Sequence, residues 1–176
     1  MKILVVSRNW IEKQLNKNPD WIQGKWIISI FSKNSWSPIH IDRFNVLKLE
    51  FDDVSERDFD DNSCIFFNEK CAKNIYTFIK EIPINSIKPF YVHCDAGVSR
   101  SGAVGYILNE WFNKYIENNI TDNQFFLKNN SHIAPNPLVV RVMKDVFWGK
   151  PTFANIEVND YSFNEDGEKI NHIERI

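Results

Sequence analysis

Residues 89–102 read PFYVHCDAGVSRSG, and this stretch predicts a buried strand, a tight loop and the start of a helix. Phe90, Tyr91 and Val92 favour a strand, and Gly97 permits backbone conformations where side chains would crowd a ligand. After the loop, apolar residues recur at the spacing of a helix with one buried stripe: Val104, Ile107, Leu108, Trp111, Phe112 and Tyr115. A loop between a strand end and a helix N-terminus directs backbone N–H groups at one point. It therefore predicts a phosphate-binding site.

The side chains at the two ends of this loop indicate its chemistry. A thiol attacks only as the thiolate, and the helix N-terminus, the loop amides and Arg100 would all stabilise that anion at Cys94. Arg100 also offers a planar fork of donors that can hold two phosphoryl oxygens. Ser101 can place a hydroxyl near the sulfur, to steady it as nucleophile and as leaving group. We expect His93 to face into the fold and to hydrogen-bond the loop backbone.

The spacing His93-Cys94, five residues, Arg100-Ser101 resembles the signature loop of the cysteine-based protein tyrosine phosphatase superfamily, and the inner sequence most resembles its dual-specificity-like branch. The resemblance implies an α/β fold in which helices flank a central, mostly parallel sheet of about four strands. It also implies that the loop residues bind phosphate together with Arg100: Asp95, Ala96, Gly97, Val98 and Ser99. It is strong for residues 45–117, fainter for 1–44 and for the helix at Asn136, and absent from the tail.

The same resemblance implies a general acid just after the strand that precedes the signature loop. Residues 45–51 alternate between polar and apolar, which predicts a strand near a sheet edge, and two carboxylates follow it. The family pattern falls best on Asp53. Asp52 is the alternative, and Asp58 in the following acidic run is a more distant one.

Other segments predict the remaining elements. The apolar run Ile3 to Val6 is typical of a central parallel strand, and residues 26–31 predict another strand. Residues 10–18 fit a helix or a loop. Residues that commonly begin and end helices predict three more helices. The first spans 67–82 with Asn62 or Ser63 as its cap, and a short second one at 125–127 is capped by Thr121 or Asp122. The third runs from the Asn136 cap to Gly149. We predict a single phosphatase-like domain over 1–151 and a polar extension over 152–176.

Composition limits the class of protein and its compartment. The chain has 176 residues, a net charge of -2 and three cysteines, which do not form a disulfide framework. The charge gives no general attraction to nucleic acid or to acidic membranes. The N-terminal apolar run is too short for a signal peptide, so we expect a cytoplasmic protein. Cys71 is expected to be inert on a core face. The sequence favours Cys64 as an ordinary semi-buried cysteine, and it is also the one plausible resolving thiol for Cys94.

These observations predict a phosphomonoester hydrolase that acts through a cysteinyl-phosphate intermediate, with no metal and no cofactor. The alternative is a phosphate-binding module that does not catalyse. The expected partner is a phosphorylated protein or a small phosphoester, without nucleic acid or membrane, and the oligomeric state is open. Asp95 and the lack of lysine in the loop disfavour inositol phosphates. Phosphotyrosine, phosphoserine or phosphothreonine, and small-molecule substrates stay open.

Overall fold

A computed structural model describes residues 1–40, 43–54, 63–82, 89–116, 119–149, 161–163 and 169–171. A 3-10 turn follows the first helix, and a π-helical segment, Glu110–Ile116, continues the third. In chain order the strands and helices are β1 (Ile3–Ser7), α1 (Arg8–Lys17), β2 (Ile27–Phe31), β3 (Val46–Glu50), α2 (Glu69–Lys80), β4 (Phe90–Cys94), α3 (Arg100–Asn109), α4 (Ile120–Asn129), α5 (Pro137–Trp148), β5 (Tyr161–Phe163) and β6 (Lys169–Asn171).

The first four strands form one parallel sheet in the order β1-β4-β2-β3. Strand β4 lies beside β1 and β2, with Tyr91 in register with Leu4 on one side and Ile27 on the other. Helices α2, α3, α4 and α5 pack against one face of the sheet, and α1 packs against the other. This confirms the predicted α/β class and sheet. Because all four strands are parallel, the residues that follow β1, β2, β3 and β4 lie together at the C-terminal end of the strands.

Strand β1 is an edge strand of this sheet, so the prediction that it is central was wrong. Its sequence is apolar because helices cover both faces: Val5 packs into the core with α3, while Val6 packs towards α1. Its free edge is closed by the side chain of Asn130. The Asn130 Oδ1 accepts from the Val5 N–H at 2.7 Å, and its Nδ2 donates to the Ile3 carbonyl at 3.0 Å. One amide thus replaces part of a neighbouring strand.

Helix α3 is buried on all sides, whereas the sequence predicted a single buried stripe. It crosses closely over β1, where a Cβ on Gly105 would lie 2.5 Å from Val5 Cγ2. The helix also widens into π-helical geometry at Glu110 rather than continuing as an α-helix to Tyr115. The periodicity could not reveal this central position, because it marks where apolar residues recur and the small residues between them are buried as well.

Asparagine side chains cap three of the helices. In each of the three, the Asn oxygen accepts the backbone N–H three residues later, which satisfies a free donor of the first turn. The caps predicted for α2 and α4 were wrong. Residues 10–18, predicted as a helix or a loop, belong mainly to helix α1. The caps are Asn68 for α2 (not Asn62, which lies outside the described residues, or Ser63), Asn119 for α4 (not Thr121 or Asp122), and Asn136 for α5, as predicted.

The C-terminal segment contributes β5 and β6, which pair as antiparallel strands. The boundary between a domain at 1–151 and an extension at 152–176 stays a prediction. Within the described part of the chain, no helix has the length and apolar character needed to cross a membrane.

Candidate active site

Neighbouring segments hold the loop between β4 and α3 in place by donating hydrogen bonds to its carbonyl groups. Backbone N–H groups of Arg8, Ala134 and Asn136 donate to the carbonyls of Asp95, Val98 and Ser99, respectively, at 3.1–3.3 Å. The His132 Nε2 lies 3.1 Å from the Gly97 carbonyl oxygen. With these carbonyls directed outward, the loop amides are free to face the interior of the loop, as the sequence predicts for a phosphate site.

Gly97 has the backbone conformation for which the sequence suggested glycine. Its φ is +77°, in the left-handed region. A Cβ at this position would lie 2.6 Å from the Ser7 nitrogen and 2.6 Å from the Val6 carbonyl carbon. The loop therefore packs directly on the end of β1, and no larger residue fits without displacing backbone.

The Cys94 sulfur lies at the floor of this loop, where the side chain is only 2% exposed. The Gly97 N–H donates to Sγ at 3.3 Å, and the Ser101 Oγ lies 3.1 Å from it. Both groups lie within hydrogen-bond distance of the sulfur, next to the N-terminus of α3. The structure thus brings together Cys94, Gly97 and Ser101 as the sequence suggested.

The Arg100 guanidinium is buried beside the loop and is fixed by three acceptors. Its Nη1 donates to Ser32 Oγ and to the Phe51 carbonyl, each at 2.8 Å. Its Nη2 donates to Asp95 Oδ2 at 2.6 Å. The Nε is buried and has no hydrogen-bond partner among the described residues. Ser32 and Phe51 directly follow β2 and β3, so they lie at the C-terminal end of the parallel strands, where the loop also begins.

These contacts determine which donors of Arg100 stay available. A guanidinium has five N–H donors, and the contacts with Ser32, Phe51 and Asp95 account for both on Nη1 and one on Nη2. Ser32 Oγ also donates to Asp95 Oδ2 at 3.3 Å, which places both acceptors at the Nη1–Nη2 edge of the guanidinium and leaves the Nε–H and the second Nη2–H as neighbours on another edge. Such a pair suits two oxygens of a phosphoryl group. A buried donor without a partner is costly, so the orphaned Nε favours an anionic ligand here.

The Asp52 carboxylate hydrogen-bonds to backbone N–H groups of two neighbouring segments. Its Oδ1 accepts from the Lys33 N–H at 3.0 Å, and its Oδ2 accepts from the Ile65 N–H at 2.8 Å. Its own N–H donates to the Ile65 carbonyl at 2.7 Å. Both carboxylate oxygens therefore fasten neighbouring segments to the end of β3.

Asp53 is exposed and faces the loop. Its Oδ1 accepts from Ser99 Oγ at 2.7 Å and from Asn136 Nδ2 at 2.9 Å. Its Oδ2 makes no hydrogen bond to the described residues. The contact with Ser99 brings Asp53 against the loop between β4 and α3, whereas the Asp52 carboxylate hydrogen-bonds to Lys33 and Ile65. The other acid candidates, Asp58 to Asp61, lie outside the described residues.

His93 is buried, as expected, but the hydrogen bonds expected for its ring are missing. Neither ring nitrogen makes a hydrogen bond of normal geometry with the described residues. Burial lowers the pKa of His93 to about 4, and Arg8 acts in the same direction, while the Cys94 backbone and Asp95 act against it. His93 binds a proton near pH 6.5 in the unfolded chain but only near pH 4 in the folded protein. The free energy of unfolding therefore decreases as the pH falls from 6.5 towards 4.

The other two cysteines are free thiols and are partly buried. Cys71 packs against the core from α2, close to the position expected for it. Cys64 lies in the turn before α2, and a role as resolving thiol stays a prediction. In the described ranges, no cluster of three or more His, Cys, Asp or Glu side chains is arranged to hold a metal.

Several residues around the loop were missed by sequence reasoning. Ser32 binds Arg100, Arg8 approaches Asp95, and Asn136 binds Asp53 as well as capping α5. A usable signal was present for the first two, because each comes directly after a parallel strand. The double role of Asn136 had no local signal, since the cap alone explains an asparagine before Pro137.

The sheet order, the loop between β4 and α3 and the arginine at its end together define the fold of a protein tyrosine phosphatase. A crystal structure of Cydia pomonella PTP-2 phosphatase shares this fold with a TM-score of 0.51 and 16% identity, covering 99% of this chain and 95% of that one. Crystal structures of PTPMT1, one of them in complex with PI(5)P, match at TM-scores of 0.43 and 0.44 with 15% and 13% identity. These cover 83% and 82% of this chain and 88% and 87% of theirs. No match to a protein-family model or to a curated protein was found.

Proposed function

We propose that this protein is a phosphomonoester hydrolase of the protein tyrosine or dual-specificity phosphatase type, with Cys94 as its nucleophile. One observation carries the proposal. The buried Cys94 sulfur accepts the Gly97 N–H at 3.3 Å and lies 3.1 Å from the Ser101 hydroxyl, and the neighbouring Arg100 has a buried Nε–H with no partner among the described residues. A phosphoryl group held there would have its phosphorus over the sulfur.

In the first step the Cys94 thiolate attacks phosphorus, and a sulfur–phosphorus bond forms as the bond to the leaving oxygen breaks. Arg100 and the loop amides stabilise the charge on the three other oxygens. Asp53, starting as the protonated acid, gives its proton to the leaving alcohol or phenol. The products of this step are the free alcohol and a cysteinyl phosphate.

In the second step Asp53, now a carboxylate, removes a proton from water as the water oxygen attacks phosphorus. The sulfur–phosphorus bond breaks and inorganic phosphate leaves. The thiolate that returns is stabilised by the Gly97 N–H and the Ser101 hydroxyl. Such a thiolate needs a reducing compartment, which supports a cytoplasmic location for the enzyme.

Asp53→Asn is expected to slow the hydrolysis of alkyl phosphates by about 10² or more, because an alkoxide leaves poorly without a proton. The loss should be much smaller for p-nitrophenyl phosphate, whose phenolate departs unprotonated. The basic limb of the pH profile should flatten. Measuring kcat/KM for both substrates across pH checks this. Equal losses on the two substrates would remove Asp53 from the role of acid.

Asp52→Asn is the matched variant, and its expected effect falls on stability. The amide can still accept one of the two backbone N–H groups but presents N–H to the other, which costs about 1–2 kcal/mol of unfolding free energy. Denaturant unfolding measures that loss, while the ratio of rates on the two substrates should match the wild type. If Asp52→Asn instead shows the leaving-group dependence, the acid is Asp52.

Iodoacetate is expected to alkylate Cys94 before Cys64 or Cys71, since the Cys94 sulfur lies in the proposed phosphate-binding loop and accepts the Gly97 N–H there. Phosphate or vanadate should slow that reaction by occupying the loop. Peptide mass spectrometry over a time course identifies the labelled residue. Fast labelling of Cys64 or Cys71, or no protection by either anion, would contradict an anion site over Cys94.

The experiment that tests the proposed function is turnover of a panel of phosphopeptides and small phosphoesters, each with Cys94→Ser as the negative control. Hydrolysis of any substrate by the wild type alone supports the enzyme. Binding of phosphate to the loop with no turnover of the panel would favour the phosphate-binding module. The substrate that gives the largest kcat/KM assigns the preference among phosphotyrosine, phosphoserine or phosphothreonine, and small molecules.

A further inference from the structure

The carboxylate of Asp95 lies between two arginine side chains. Its Oδ2 accepts from Arg100 Nη2 at 2.6 Å and from Ser32 Oγ at 3.3 Å. Its Oδ1 lies 3.6 Å from Arg8 Nη1. The Asp95 carbonyl also accepts the Arg8 N–H at 3.1 Å. The Asp95 side chain is therefore held in place although 41% of it is exposed.

Arg8 is fixed independently of Asp95. Its Nε donates to Glu12 Oε1 at 2.9 Å, and its Nη1 donates to Ser35 Oγ at 2.7 Å. Its guanidinium also lies 4.9 Å from the centre of the Trp36 ring, in cation–π contact. A cation is thus held beside Asp95 whether or not the loop contains a ligand.

The charges of this group explain how a phosphate site can contain a carboxylate. Alone, Asp95 would repel a phosphoryl group bound a few ångströms away. Arg8 and Arg100 contribute two positive charges, and Asp95 and the Glu12 partner of Arg8 contribute two negative charges, so the linked side chains together are neutral. The Asp95 carboxylate can then orient Arg100 without making the site anionic.

We propose that Asp95 is a positioning residue for Arg100, and that Arg8 offsets the charge which this positioning introduces. Asp95 and Ser32 hold one edge of the guanidinium, and the Nε edge faces the loop as a result. The inference rests on the proposed function and assigns two further residues to that site. Neither side chain forms or breaks a bond in the proposed steps.

The two roles give opposite kinetic signatures. Asp95→Ala is expected to lower kcat about tenfold, the loss typical of one charged hydrogen bond, with KM unchanged or lower because a negative charge is removed. Asp95→Asn keeps an acceptor and should recover most of the kcat. Arg8→Gln leaves the Asp95 charge less compensated, so it should raise KM with kcat close to that of the wild type.

Two controls separate positioning from general damage. Asp20→Ala makes the same change at an exposed carboxylate outside the loop and should leave both constants unaltered. In an Arg100→Lys background, Asp95→Ala should cause no further loss of kcat, because the group that it positions is gone. An unchanged or higher kcat in Asp95→Ala alone, or an undiminished loss in the Arg100→Lys background, overturns the inference.

A structural measurement tests the inference without turnover. We expect crystals of the wild type soaked with inorganic phosphate to show Arg100 Nε and Nη2 each on one phosphate oxygen. In Asp95→Ala the guanidinium should shift or lose one of these contacts. An unmoved guanidinium would refute the positioning role even in a protein that hydrolyses nothing. A moved one in an inactive protein would uphold the inference and refute only the proposed hydrolysis.

Discussion

Cys94→Ser is expected to reduce the hydrolysis of p-nitrophenyl phosphate to the background rate while the fold stays intact. A serine hydroxyl is a weak nucleophile unless a base removes its proton, and the groups within hydrogen-bond distance of Sγ among the described residues, the Gly97 N–H and the Ser101 hydroxyl, are not bases. The hydroxyl fits the space of the thiol and can accept the same Gly97 N–H. Initial rates together with a thermal unfolding curve measure both parts of this expectation.

The matched control for this variant is Cys71→Ser. Cys71 lies partly buried on α2 and has no part in the loop, so its replacement should preserve turnover even if stability falls slightly. Activity in Cys94→Ser near that of the wild type would exclude the cysteine mechanism. Loss of activity in Cys71→Ser with an intact fold would instead implicate a second thiol.

Arg100→Lys should lower kcat by about 10²–10³, the usual effect of removing one transition-state donor. Lysine is a point charge and cannot present a pair of adjacent donors as Arg100 does with its unpartnered Nε–H and its second Nη2–H. It also leaves some of the acceptors at Ser32, Phe51 and Asp95 without their donors, so part of the change will be structural. Comparing kcat with the unfolding midpoint separates the two.

Arg141→Lys serves as the control for the same substitution. Arg141 lies on α5 with its side chain 53% exposed beside Asp145, so its replacement should change neither rate nor stability measurably. A rate for Arg100→Lys within about threefold of the wild type would assign Arg100 a structural role, since a lost transition-state donor costs far more than that.

The fold was largely predictable from the sequence because its decisive features are local. The run at Phe90, the left-handed glycine and the Asn136-Pro137 start each specify their own backbone. The position of β1 was not predictable, because an apolar strand covered by helices on both faces looks central whether or not its second edge is paired. Asn130, which closes that edge, lies 125 residues from Val5.

The candidate site, like the fold, has one part that the sequence predicts and one part that it does not. Cys94, Gly97, Arg100 and Ser101 lie close together in sequence, and their spacing alone predicts a common loop. The residues that orient them come from the ends of other strands and from α5, so only the folded sheet brings Ser32 and Asn136 to the loop. The two adjacent carboxylates after β3 show the limit most clearly. Their hydrogen bonds differ because of what packs against them, which no spacing in the sequence specifies.

The most direct test of Cys94 as the nucleophile is detection of the covalent cysteinyl phosphate. The Asp53→Asn variant turning over p-nitrophenyl phosphate suits this test, because the first step needs little acid while the second step lacks its base. Mass spectrometry after a rapid quench should show one phosphoryl group on Cys94, absent from Cys94→Ser and lost from the wild type as substrate runs out. Hydrolysis with no phosphoryl group on Cys94, or with the group on another residue, would exclude Cys94 as the nucleophile.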